Sequence, residues 1–252
     1  MTHPLDALET SVAYLRNLIE GLDESQYLAS AHPSEWTVAD TMSHLGSGAV
    51  ILKRRIDDTL AGKETPPEFN QSVWDEWNAK TPSAQVTDAL IADQAVLDRG
   101  LEMTPEERDS FSFNLGPMVF DFTAAVGLRL NEHVLHTWDV EEAFDKSAVL
   151  QRDAVPFMVD NLELVIKFTS KTTGTGDVLR IRTTDPQREL VLTLGTDVVT
   201  LEEGETSDDP HHIEMPAESF IRLLYGRLDA AHTPAAAESE HLENLRIVFP
   251  GL

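Results

Sequence analysis

The stretch LRLNEHVLHTWDVEEAF, residues 128–144, decides how this chain is built. Leu130, Val134, Leu135 and Trp138 recur at three- and four-residue spacing, so they share one broad side of a helix that turns about 100° per residue. Arg129, Glu132, His136 and Asp139 fall on the other side, where a charged stripe is ordinarily a solvated face. Here Phe122 and Ala125 before the cluster, and Val140 and Ala143 after it, continue that side with apolar residues. The polar groups therefore interrupt a second apolar strip and are expected to be partly buried. Buried charge requires a partner or a metal.

Outward from this helix the pattern continues. Leu5, Leu8, Val12, Leu15 and Leu18 predict an amphipathic helix over residues 5–22, ending near Gly21. A second helix begins at WTVAD, where Thr37 caps and Asp40 stands three residues on. Val38, Met42, Leu45, Ala49, Leu52 and Ile56 carry it to about Ala61. GKETPPEFN, residues 62–70, is expected to be a loop, and a helix follows TPSA over residues 84–103. After the break at LGP comes the long helix, residues 117–145. Four helices with longish connections predict a bundle over residues 1–150. Beyond Leu150 the texture changes to a helix over residues 153–170 and strands at DVLRIRTT, RELVLTLG and DVVTLEEG. The helix PAESFIRLLYGRL and a last strand, LRIVF, complete a smaller α+β domain over residues 151–252. The fold class is α+β.

Composition limits what such a chain does. With 44 acidic against 19 basic residues its net charge is -25, which repels nucleic acid and anionic lipid. No apolar run is long enough for a membrane span, and the start lacks a signal-peptide pattern, so a cytoplasmic protein is expected. There is no cysteine, which excludes disulfides, zinc–thiolate sites and cysteine nucleophiles. Thiol chemistry here requires a thiol from outside.

Glu132 and His136 are four apart and meet over one helical turn, where they can hold one ion. A third ligand is available on the second helix, where His44 lies away from the apolar stripe between Thr41 and the small Gly48, which leaves room for a close approach. Two histidines and one carboxylate with an open fourth position is a donor set of catalytic zinc. The Glu-x-x-x-His pair is common and alone means little. A hydrogen-bonded His44 at the core edge is the plain alternative, and His133, nearer the core edge, is the second choice of ligand.

EWTVADTMSHL, residues 35–45, followed far downstream by RLNEHVLHTWDV, residues 129–140, resembles the mycothiol-dependent maleylpyruvate isomerase family, a branch of the DinB-like four-helix metal proteins. The resemblance implies an N-terminal DinB-like four-helix bundle and a C-terminal domain of sterol-carrier type. It implies a divalent metal, zinc, held by His44, Glu132 and His136, with mycothiol as thiol cofactor or cosubstrate. It also implies an arginine on the C-terminal domain that binds substrate or thiol. FIRLLYGRL offers Arg222 and Arg227; on a helical wheel apolar residues surround Arg227 while Arg222 points to the polar side, so Arg227 is expected, against the alternative of an arginine lying along the core edge. Arg129 and Asp139 are then expected to orient the ligands or hold substrate carboxylates, with an ordinary ion pair as the alternative. The implied activity is an isomerase of maleylpyruvate type or a thiol S-transferase acting on a small electrophile, as monomer or homodimer. A hydrolase using zinc-bound water and a non-catalytic binding module are the rivals.

Overall fold

The computed structural model describes residues 3–32, 35–115, 118–204 and 212–251. The chain divides into two compact units, Met1–Ala148 and Val149–Leu252.

The first unit is a bundle of α1 (Pro4–Glu20), α2 (Val38–Leu60), α4 (Pro82–Glu102) and α6 (Phe122–Glu142), with shorter helices α3 (Phe69–Asn78) and α5 (Pro105–Ser110) in the connections. Local signals set the helix starts. Thr37 and Asp40 form a reciprocal capping box on α2, and Thr81, followed by a proline, caps α4. Asp121 accepts from the Ala124 N–H at 2.8 Å and starts α6. The long helix is thus shorter than expected at its N-terminal end. Met118–Asp121 (β2) pairs antiparallel with Ser112–Leu115 (β1), and Phe113 stacks on Phe120 at 5.5 Å. Of the LGP break, Gly116 and Pro117 lie outside the described residues.

Helix α3 starts inside the stretch expected to be a loop. It buries only Val73 and Trp77, four apart, too short a pattern to stand out in the sequence. Its packing reaches deep. Leu15, Val38, Met42, Leu45, Val86 and Val140 form the core into which Trp77 inserts. Gly46 makes that possible, because a Cβ there would stand 2.2 Å from the Trp77 ring and 2.9 Å from the Ala89 backbone.

The second unit holds α7 (Val155–Asp160), α8 (Leu162–Thr169), β3 (Val178–Thr184), β4 (Arg188–Leu194), β5 (Val199–Glu203), β6 (Ile213–Pro216), α9 (Ala217–Leu224) and α10 (Leu242–Val248). The sheet order is β5-β4-β3-β6, antiparallel except for β6, which runs parallel to β3. Alternation is clear on β4, where Leu190, Leu192 and Leu194 are buried. The three expected strands form. Three other details differ from expectation. The helix expected over residues 153–170 is interrupted at Asn161 into α7 and α8. LRIVF is not a strand but the end of α10, whose buried Leu242, Leu245 and Val248 repeat every three residues once Leu242 is counted. Strand β6 was not expected; only its place beside Ile181 makes it one.

Candidate metal centre

Helices α2 and α6 bring His44, Glu132 and His136 together. One ligand atom from each lies within 4.8 Å of the others. His44 Nε2 is 2.9 Å and His136 Nε2 is 3.6 Å from the same oxygen, Glu132 Oε2. The two imidazoles meet edge to face at 4.6 Å between centroids. Donors around a tetrahedral zinc at roughly 2.0–2.1 Å stand about 3.4 Å apart, so this nitrogen, nitrogen and oxygen set fits a divalent ion with small movements.

Asp139 is fully buried and its Oδ2 lies 2.7 Å from His136 Nδ1. With the Nδ1 proton donated to that carboxylate, Nε2 keeps its lone pair toward the cluster. Burial opposes the charged form of His136, but hydrogen bonds with Asp139 and Glu132 outweigh it and raise its pKa. Burial likewise opposes the charge on Glu132, and hydrogen bonds from His136 and His44 overcome it, holding its carboxyl well below the usual range.

Arg129 does not join this cluster. It reaches Asp93 on α4 and donates to the Leu45 carbonyl at 3.0 Å. The room expected beside Gly48 is taken by the same guanidinium, since a Cβ at Gly48 would stand 3.2 Å from Arg129 Nη1. His133, fully buried, also turns away: Nδ1 is 2.8 Å from Ser11 Oγ and Nε2 is 3.5 Å from Asp93 Oδ2. Burial lowers the His133 pKa, with Asp93 partly opposing. Ser11, Asp93, Arg129 and His133 are thus a buried polar network behind the candidate metal ligands. Nothing in the spacing of α6 marked Asp93, because it comes from another helix.

Trp36 belongs to the same sequence motif as His44, and its spacing carries no sign of a role at the site. Its ring stacks on His136 at 5.8 Å and lies 5.3 Å from the His44 ring, so it walls one side of the cluster. His44 stands between two recesses. One, of about 420 Å³, is lined by Glu35, Trp36, Asp40, Ser43, Trp74 and Asn78 among others and is polar. The other, of about 380 Å³, runs along α2 over Ile51, Leu52, Phe113 and Leu128 and is apolar.

In the second unit, Arg227 lies beyond α9 rather than on it. Gly226, with φ +72°, turns the chain after Tyr225, and Arg227 Nη1 donates to the Tyr225 carbonyl at 3.0 Å. Arg222 is not on a polar side, as the wheel suggested. It is 3 % exposed against 8 % for Arg227, because Glu218 one turn earlier pairs with it at 2.8 Å and lets it be buried.

A four-helix bundle carrying a two-histidine, one-carboxylate cluster, joined to a smaller α+β unit, is the class defined by fold and site. The family description "Mycothiol maleylpyruvate isomerase N-terminal domain" matches residues 8–141, more than half of the chain. The chain belongs to the mycothiol maleylpyruvate isomerase family. Its fold is similar to the crystal structure of the mycothiol-dependent maleylpyruvate isomerase, with a TM-score of 0.65 and 15% sequence identity over 95% of this chain and 98% of that one. A histidine-to-alanine mutant of that enzyme matches equally, with a TM-score of 0.65 and 15% identity over the same shares. No curated protein matches the chain. No helix among the described residues is long and apolar enough to cross a membrane.

Proposed function

We propose that this chain is a metal-dependent enzyme that uses an external thiol, mycothiol, for an isomerisation of the maleylpyruvate type on an electrophilic substrate. The convergence of His44, Glu132 and His136 from two helices, in a chain without cysteine, carries the proposal. Membership of the family supports the thiol and the isomerase chemistry.

When bound by these three residues, a zinc ion would favour the thiolate form of a thiol at its open side. His44 and His136 supply neutral nitrogen donors and Glu132 supplies the charge. Asp139 fixes the His136 ring and the proton on Nδ1. Trp36 covers the rings and limits water on that side. Asp93 and the Leu45 carbonyl hold Arg129 against α2, so Arg129 positions the two helices rather than reaching for substrate. Arg227, on the C-terminal unit, is proposed as the arginine that the family resemblance implies for an anionic group of the thiol or substrate. The polar recess beside Trp36 suits a sugar-bearing thiol.

In the isomerase, the thiolate sulfur bonds to one carbon of a double bond conjugated to a carbonyl, and the π electron pair moves onto the carbonyl oxygen, from which it later returns. The remaining single bond rotates, and expulsion of the thiol restores the double bond with the other geometry. A thiol S-transferase shares the first step and keeps the carbon–sulfur bond. A cytoplasmic location is expected of either, since free thiols stay reduced there.

Elemental analysis of the wild type beside His44→Ala and His136→Ala, followed by titration with mycothiol, tests this proposal. About one metal ion per chain in the wild type, little in either variant, and mycothiol affinity that follows the metal are expected. Equal metal in all three overturns the site. Metal loss without any mycothiol affinity in the wild type overturns the thiol chemistry in favour of a hydrolase.

A further inference from the structure

The apolar groove beside His44 ends on Arg55, which has no acidic partner among the described residues. His44, Gly48, Ile51, Leu52 and Arg55 follow one another along a single face of α2 at three- and four-residue spacing. From His44 to Arg55 is eleven residues, about 16 Å along a helix rising roughly 1.5 Å per residue. Between these ends, Ile51, Leu52, Trp74, Phe113, Ala125 and Leu128 line about 380 Å³ of space. That is the size and character of a small-molecule pocket.

Arg55 is half-buried, and its guanidinium lies 5.4 Å from the centre of the Phe113 ring. Among the described residues no carboxylate pairs with it. Its acidic neighbours on α2 are already engaged. Asp57 takes Lys53 and Arg99, and Asp58 takes Arg54 and the Thr65 hydroxyl. In a chain of net charge -25, a guanidinium with no carboxylate partner among the described residues, at the end of an apolar groove, can receive an anionic group. Asn70, which lines the groove beside it, adds a neutral hydrogen-bonding group.

At the cluster end the balance differs. Glu132 and Arg129 both line the groove there, and Arg129 is paired with Asp93. Short of the candidate metal ligands, the groove offers apolar contacts over most of its length. A ligand with one acidic head and an extended apolar body matches both ends.

We infer that this groove binds an elongated apolar monoanion, with its acidic head on Arg55, its body along α2 and its other end at His44 and Glu132. Resting on the function proposed above, this names the class of electrophile: a long, largely apolar monocarboxylate rather than a short dicarboxylate.

The test is calorimetric titration of the full, metal-loaded chain with octanoate, octan-1-ol and maleate, in the wild type and in Arg55→Ala. Thermal melting of the variant establishes that it folds. Octanoate is expected to bind more tightly than maleate. Arg55→Ala is expected to weaken octanoate about tenfold or more, the usual scale for losing a charged hydrogen-bond partner, while octan-1-ol changes less than about twofold. A carboxylate can also coordinate a metal, so the octanoate titrations are repeated after chelator treatment, where the dependence on Arg55 is expected to persist. Tighter maleate binding, an unchanged octanoate affinity in Arg55→Ala, or an equal loss for octan-1-ol overturns the inference. So does octanoate binding that vanishes with the metal and ignores Arg55. Failure of the metal or mycothiol measurements would leave these titrations intact, so the two failures are distinguishable.

Discussion

Asp139 Oδ2 stands 2.7 Å from His136 Nδ1, one turn along the same helix and out of reach of solvent. The carboxylate selects the tautomer of the histidine and aims its other nitrogen at Glu132. Asp139→Asn keeps the volume but loses the charge. Partners of this kind are typically worth 10–100-fold in metal affinity, and a loss on the order of that range is expected, measured by competition with a chromophoric chelator. Retention of full affinity would show that Asp139 only fills space.

Protons and metal compete for the same atoms. The His136 pKa is raised from its ordinary 6.5, so in metal-free protein its contribution to stability is full below about 6.5 and is lost as pH rises through the raised value. The Glu132 pKa is lowered, so its contribution is present above the ordinary 4.5 and is lost as pH falls through the depressed value. Metal-free protein is therefore expected to melt highest between these limits. Metal affinity is expected to climb about tenfold per pH unit below the His136 pKa, with proton release on binding, and to level off above it. Calorimetry in buffers of differing ionisation enthalpy measures that release.

Asp93 is 1 % exposed and faces both Arg129 and His133. Its pKa is lowered because, although burial opposes its charge, Arg129 and His133 outweigh that penalty. Asp93→Ala would strand a buried guanidinium, and a destabilisation of about 3–5 kcal/mol is expected in urea unfolding. A double variant, Asp93→Ala with Arg129→Met, is expected to recover part of that loss. Lack of any recovery would mean that Asp93 acts through something other than its pairing with Arg129.

Gly46→Val places a side chain where Trp77 and the α4 backbone already stand. The tryptophan has to leave the core or the helices have to part, and a loss of roughly 1–3 kcal/mol or more is expected in the same unfolding measurement. Metal content at low temperature is expected to hold, because Gly46 faces the core and His44 does not.

Much of the bundle was legible because its signals are local. The capping box at Thr37 and Asp40, the threonine and proline before α4, and the apolar stripe of α2 are properties of adjacent residues. So is the second apolar strip of α6, which announced buried polar groups, and Arg129, His136 and Asp139 are buried. The start of α6 was misjudged, since strand β2 depends on pairing with β1, and α10 was misread because five residues suit either period.

Periodicity by itself determined which side chains share a face of a helix, and hence that Glu132 and His136 can act on one ion and that the chain is a bundle followed by a sheet unit. Only the tertiary structure decided that His44 meets them, that His133 and Arg129 turn to Asp93 instead, and that Arg55 closes an apolar groove. The reason is geometric. A helical repeat relates neighbours a few residues apart, whereas a distance between helices depends on how cores interlock, as where Trp77 seats against Gly46 and joins α2 to α3 and α4.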